Sequence, residues 1–342
     1  MAYTTIDDPS AYFQTTLYSG TGSEQVVTNT GNSDLQPDWV WLKVRSNGTY
    51  GHVVFDSVRG VNKALFPNAN NVEEDQSSDV SLSSFNSDGF TVGGYFNNVN
   101  QSGQTFVSWQ WKETADAGFD IVSYTGSGSA KTVAHNLGVK PDVIICKSRS
   151  GAEEWRPYFS ALGATYGMRL NGTNAKDDDA GYWNDVEPTS SVFTVGTNAG
   201  TNGNNVTFIA YCFAEKKGYS KFGSYTGNNN TNGPFVYTGF KPAWLMIKRT
   251  DTENTATNMN GSHWVMLDNK RDPINAAGAA HALTANRSAA EDTSNLTKVD
   301  FLSNGFKFRG GADAVNAAAT YIYMAFAEQP FVTSTGVPAT AR

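Results

Sequence analysis

Cysteine is almost absent from the 342 residues: only Cys146 and Cys212 occur. Two cysteines exclude a disulfide framework. Both lie in apolar, strand-like runs (143–146 and 209–213), where a thiol reads as a small buried hydrophobe. A disulfide or a reactive role is the alternative. The four histidines, His52, His135, His263 and His281, show no metal-ligand spacing with each other or with the cysteines. Basic residues are outnumbered, 25 Lys and Arg against 32 Asp and Glu, for a net charge of −7. With no basic cluster, nucleic acid and anionic lipid are not expected partners. No apolar stretch reaches the roughly 18 residues of a membrane span. Residues 1–8 lack the basic segment and apolar run of a secretory signal, so synthesis in a cytoplasm is the expectation. No nucleophile elbow and no coiled-coil heptads appear. Helical periodicity is missing too, apart from a candidate turn or two over Ala276–Leu283 that lacks caps. Paired carboxylates for glycoside hydrolysis carry no motif of their own. Catalytic residues, cofactors and metals are all expected to be none.

What the chain does have is glycine, 33 residues of it, among many Asn, Ser and Thr, which is the turn chemistry of short strands. It also has internal repetition. A Pro followed by an apolar run ending in Lys occurs at Pro37–Lys43, Pro141–Lys147 and Pro242–Lys248, with prolines 104 and 101 residues apart. A Tyr-(Ser/Thr)-Gly turn precedes each, at Tyr18–Gly20, Tyr124–Gly126 and Tyr225–Gly227. A short apolar run follows at His52–Ser57, Trp155–Ser160 and Trp264–Asn269, then a Phe-containing strand around Phe90, Phe193 and Phe306. Each stretch closes on an aromatic strand: Phe106–Glu113, Phe208–Glu215 and Tyr321–Glu328. Five markers in the same order predict an all-β protein of three tandem β-sandwich, jelly-roll-like repeats of roughly 100 residues. The expected division is a 1–16 extension that could dock on a neighbour, repeats over 17–115, 116–217 and 218–328, and a 329–342 tail.

In Trp39–Leu42 both alternating faces are apolar, so the strand should be central and covered on both sides. Its leading Pro suits a strand's first position or an edge. Asp88-Gly89 and Asn304-Gly305 read as tight turns that need a positive φ at Gly. The linkers between repeats are short, which predicts packed units. The two ends fall outside the repeat and should fray in a free monomer, or add an extended strand to a neighbour.

At Tyr225–Gly227, Gly239–Thr250 and Tyr323–Phe331 the chain resembles a family of virion structural proteins of marine bacteriophages. That family has a Tyr-Thr-Gly-Asn-Gly-like opening, a Gly-Phe-x-Pro-Ala-Trp/Phe-x-x-Ile-Lys-Arg-Thr run and a closing Tyr-x-Ala-Phe-Ala-Glu-x-Pro-Phe. Asp56–Gly60 fits the same pattern, and the likeness runs from about Asp7 to Arg342. The resemblance implies a non-enzymatic virion component, in a tail fibre or similar appendage, concerned with assembly and host-surface attachment. A capsid decoration or head-fibre protein is the alternative, and a glycan-degrading tailspike a further one. The implied partners are other virion proteins and a host cell-surface glycan or receptor, with a homo-oligomer, a trimer by analogy.

The recurring Lys43, Lys147 and Lys248, followed by Arg45, Arg149 and Arg249, could bind an anionic glycan. The plainer reading is an ion pair or surface position at a strand end, with Asp56 or Asp268 as partner. Asp177, Asp178 and Asp179 form the densest carboxylate run, a candidate ligand loop without the alternation of a calcium loop. Most tryptophans lie in central or closing strands and belong to the core. Trp183, beside Tyr182 in a polar stretch, is read as the exposed aromatic available to a ligand.

Overall fold

The computed structural model describes residues 2–78, 80–272, 275, 281–294 and 297–339. Three antiparallel sheets form the body. The first runs in the order Phe13–Ser19, Thr105–Trp111, Trp39–Val44, Val53–Asp56. The second is Phe119–Thr125, Thr207–Phe213, Val143–Ser148, Arg156–Phe159. The third is Ser220–Thr226, Thr320–Pro330, Phe240–Arg249, Trp264–Asp268, Leu283–Thr284. In each, the strand that ends in Lys lies beside the closing aromatic strand, and both sit inside the sheet. The chain is all-β, and the only helical segments among the described residues are single turns such as Ala180–Trp183 and Asp313–Asn316.

Period-two alternation gives each sheet two apolar faces, and they go to different places. One face of all three sheets meets in a single central cluster. It holds Trp39, Trp41, Trp109 and Trp111 from the first sheet, Val143, Ile145, Tyr211 and Phe213 from the second, and Trp244, Met246, Met324 and Phe326 from the third. Trp39 stacks on Tyr211 at 4.4 Å, Trp111 meets Trp244 edge-on at 5.6 Å, and Phe213 lies 5.8 Å from Phe326. Every pair of sheets is therefore in direct aromatic contact. The other face of each sheet carries a separate cluster, covered by its own short strands. Val40 and Leu42 pack with Phe90, Ile144 and Cys146 with Phe193, and Leu245 and Ile247 with Phe306. This layering is consistent with β-sandwich architecture, and the inner layers face one another.

Several expectations need correction. Pro37 lies just ahead of its strand, Trp39–Val44, as expected; its counterpart Pro242 instead lies inside a central strand, where the pairing shifts register on both sides of it, and a bulge removes the need for the missing N–H. Gly89 holds the expected positive φ, at 97°, whereas Gly305 does not; both follow two-residue hairpin loops, since Asn86 pairs Gly89 and Leu302 pairs Gly305. Their decisive constraint is close approach: a Cβ would lie 2.0 Å from the Val27 carbonyl oxygen or 2.2 Å from that of Val236. Of the expected helical stretch, Ala276–Ala280 lies outside the described residues, while Leu283 is in a strand.

The described parts of both ends are tied to the body. Phe13–Ser19 is an edge strand of the first sheet, so residues 13–16 belong to the body rather than to an extension. Ile6 is buried in the central cluster. The Tyr3 hydroxyl donates to the Gly239 carbonyl at 2.7 Å, and the Ser334 backbone N–H donates to the Asp7 carboxylate at 2.6 Å. The two termini thus hold each other against the third sheet.

Candidate functional site

The acidic loop turns inward. Trp183 is buried, packed edge-on against Tyr158 and Phe193, which corrects the expectation of an exposed aromatic. A polar sequence neighbourhood concealed a one-turn helix whose apolar residues join the second outer cluster. Tyr182 is buried as well: its hydroxyl donates to Asp177 at 2.7 Å, and Arg156 lies over its ring at 4.5 Å. Asp179 caps the helix by accepting from the Gly181 N–H at 2.7 Å. Asp178 is exposed and pairs with Tyr166 through the backbone. The loop's groups are largely taken up locally. The most exposed aromatics are instead Tyr95, Tyr237 and Phe235. No group of three or more His, Cys, Asp or Glu with metal-holding geometry occurs among the described residues. No helix among them is long and apolar enough to cross a membrane.

Lys43, Lys147 and Lys248 are fully buried, which corrects the surface reading. Each amine donates to the carbonyl of the next residue, Val44, Ser148 or Arg249, at 2.5–2.7 Å. Lys147 also reaches Asn70, 3.4 Å away in the preceding stretch, and Lys248 reaches Thr173 at 3.2 Å. Burial pulls their pKa values down, to about 7 for Lys43 and Lys248 and about 8 for Lys147. In the unfolded chain these amines keep their protons to about pH 10.4. Above pH 7 the unfolded state therefore binds more protons, and stability rises with pH. The buried thiols Cys146 and Cys212 oppose the rise, because burial raises their pKa values and unfolding releases ionisable thiols from about pH 8.5. Urea unfolding should show stability increasing by roughly 1–3 kcal/mol between pH 7 and about pH 8.5. Lys248→Met should flatten that slope; an unchanged slope would remove the lysines as its cause.

These lysines mark three junctions that close in a ring. Opposite them across the sheet stand His52, Trp155 and Trp264, and each ring nitrogen meets a carbonyl of the preceding stretch. Trp155 donates to Phe66 at 2.9 Å and Trp264 to Arg169 at 2.8 Å. His52 Nδ1 accepts from Trp41 at 2.8 Å, so its Nε2 carries the proton donated to Thr284 at 3.0 Å. Backbone bonds follow the same path: Glu73 N–H to Arg149, Lys176 N–H to Thr250, and Glu291 N–H to Arg45. The first stretch holds the second, the second the third, and the third the first.

Two of the three junctions share an ion network. Arg59 donates to Asp56 at 2.5 Å and to Glu73 at 3.2 Å, and Arg149 of the next stretch grips Glu73 at 2.8 and 2.9 Å. Tyr211 closes the set by donating to Asp56 at 2.6 Å. The ring-closing junction repeats this with Asp268, Arg271, Glu291, Arg45 and the Trp109 N–H. Burial works against the Arg59 charge, but Asp56, Tyr211 and Glu73 outweigh it and raise its pKa above the ordinary value. At the remaining junction the equivalent registers hold Phe159, Leu162, Lys176, Thr250 and Met324. All five positions have changed together. Asp56 and Asp268 therefore serve arginines three residues on, not the lysines.

A second recurring constellation escaped sequence reading. The Asn100 amide donates to Ser23 and Gly93 and accepts from Thr21 N–H; Asn202 does the same with Ser129, Gly196 and Ser127, and Asn316 with Asn230, Gly310 and Asn228. The repeated Tyr18, Tyr124 and Tyr225 hydroxyls donate to Val99, Thr201 and Val315, each at 2.6 Å. Gly20, Gly126 and Gly227 are required because a Cβ would fall 2.1–2.2 Å from a carbonyl oxygen of the turn beside that Asn. The recurring Asn carried no clear sequence signal: Asn100 and Asn316 are the last Asn before their closing strands, but Asn204 and Asn205 follow Asn202.

Residues 8–330 match the model of a domain of unknown function, DUF7483. The chain belongs to that family. Its model spans all three main sheets and every junction just described, so the whole ring is the family's unit of description. No curated protein matches the chain.

Proposed function

We propose that this member of the family is a non-enzymatic structural protein of a bacteriophage virion, part of a tail fibre or similar appendage. In this reading its body is three diverged copies of one β-sandwich unit, expected over 17–115, 116–217 and 218–328, with the first extended back to Phe13 by its edge strand. It assembles as a homo-oligomer, a trimer by analogy, and contacts other virion proteins and a host-surface glycan or receptor. The observation that supports the reading is where the recurring ionisable groups sit. Lys43, Lys147 and Lys248 are buried, and the Asp–Arg–Glu networks lie at junctions between sheets. Residues that recur in this way build the body, and contacts with other molecules fall to the parts that differ. Weak contacts multiplied over several subunits would supply attachment through avidity.

Antibody labelling of intact particles, with a competition assay for adsorption, tests it. Label on the tail appendage and slower adsorption in the presence of purified protein are expected. Label on the head surface would instead support a decoration protein, and particles without label would end the virion reading.

A further inference from the structure

The closing glutamates of the three sheets are neutralised in different ways. Glu113, Glu215 and Glu328 end the three aromatic runs, and the first two lead into the short links to the next sheet. Between the second and third sheets Glu215 meets Lys221 at 2.7 and 2.9 Å. In the third sheet Glu328 meets Lys241 at 2.6 Å. The register of Lys221, opposite Ala325, is held by Asp120 in the second sheet, opposite Cys212, and by Gln14 in the first, opposite Gln110. The link between the first and second sheets therefore sets Glu113 against Asp120, where the next link has an ion pair.

Both carboxyls are fixed by backbone donors. Asp120 is buried and accepts from the Asn136 N–H at 2.7 Å. Glu113 is half-buried; it accepts from the Ile121 N–H at 2.9 Å and lies in hydrogen-bonding contact with Asp120. Two carboxylates can only accept, so that contact needs one proton between them. Asp38 adds a third negative group, accepting from the Glu113 N–H at 2.8 Å. His135 and Cys212 also face Asp120, and burial holds the imidazole pKa low and the thiol pKa high, so neither is charged near neutral pH. None of the ion pairs among the described residues includes Glu113 or Asp120.

We propose that Glu113 and Asp120 form a proton-held clasp on the link between the first and second sheets, closed while a proton bridges the two carboxyls and released when it leaves. Release frees the Ile121 N–H and loosens the chain over 114–121, where it enters the edge strand Phe119–Thr125. Burial, with Asp120 and Asp38 adding to it against the Ile121 N–H, pushes the Glu113 carboxyl up to about 7. In the open clasp it returns to about 4.3. The closed state thus binds the extra proton, and between those values each pH unit favours opening about tenfold, levelling off above about pH 7. The inference assumes nothing about the particle, so it can fail while the virion reading stands, and the reverse.

Amide hydrogen exchange on the full chain at about pH 5 and pH 7.5, corrected for the intrinsic exchange rate at each pH, tests it. The protection of the Ile121 amide should fall at least tenfold at the higher pH. The Phe222 amide, at the same register beside the Glu215–Lys221 pair, should stay level and so separates local release from global loosening. Glu113→Gln removes the titrating group and should abolish the fall; Asp120→Lys, which copies the next link, should abolish it too if its melting temperature shows that it folds. A fall of less than tenfold at Ile121, an equal fall at Phe222, or an unchanged fall in Glu113→Gln would each overturn the clasp.

Discussion

Arg59→Ala should cost about 3–5 kcal/mol of stability in urea unfolding, because it strands a buried carboxylate. The Asp56 and Arg59 side chains are both fully out of solvent. Without Arg59, Asp56 keeps only the Tyr211 hydroxyl and the Arg59-position backbone N–H as donors. Glu73 loses one of its two guanidinium partners at the same time. The protein also contains the control. At the unpaired junction Phe159, Leu162 and Met324 occupy the registers of Asp56, Arg59 and Tyr211. The combined variant Asp56→Phe, Arg59→Leu, Tyr211→Met copies that solution and should recover most of the loss, since an apolar set of similar volume can replace a buried ion pair at little net cost. The coupling energy is the informative quantity. Additive losses in the triple variant would show that the two junction types are not interchangeable.

Trp111→Ala should be comparably severe, about 3–5 kcal/mol from lost burial and the cavity left behind. Trp111 contacts Phe13 and Trp39 of its own sheet, Phe213 of the second, and Trp244 and Phe326 of the third, at 4.7–6.5 Å. Truncation therefore opens a hole where three sheets meet, and no single sheet can collapse to fill it. Trp111→Phe should cost much less. The Trp111 ring nitrogen is buried without a hydrogen-bond partner, so removing it surrenders no bond and relieves an unsatisfied donor. A large loss in the Phe variant would point to a polar role for that N–H.

Strand content, the order of the markers and the two apolar faces of Trp39–Leu42 were legible in the sequence because period-two alternation and turn residues are local signals. Short linkers likewise pointed to packed units. The shared centre was not legible, since alternation says that a face is buried but not against which partner. The same limit misplaced Lys43, Lys147 and Lys248. A Lys closing an apolar run looks like a strand end meeting solvent; what it does not show is that the buried amine turns back to the carbonyl of the next residue, joined for Lys147 and Lys248 by a carbonyl of the preceding stretch. Trp183 failed for a related reason: Gly, Asn and Asp neighbours describe the chain around it, not the pocket of Tyr158 and Phe193 that receives it. The Asp–Arg pairs at 56–59 and 268–271 could have been found, because the spacing recurs and the second stretch replaces both members together.

The account's central claim is that the three sheets form one body, closed by a common core and a ring of junctions. Differential scanning calorimetry tests this directly. The account predicts one transition for the intact chain, with calorimetric and van't Hoff enthalpies in agreement. Two or three resolved transitions, each with the enthalpy of roughly a hundred residues, would contradict it and return the protein to three independent units on a string.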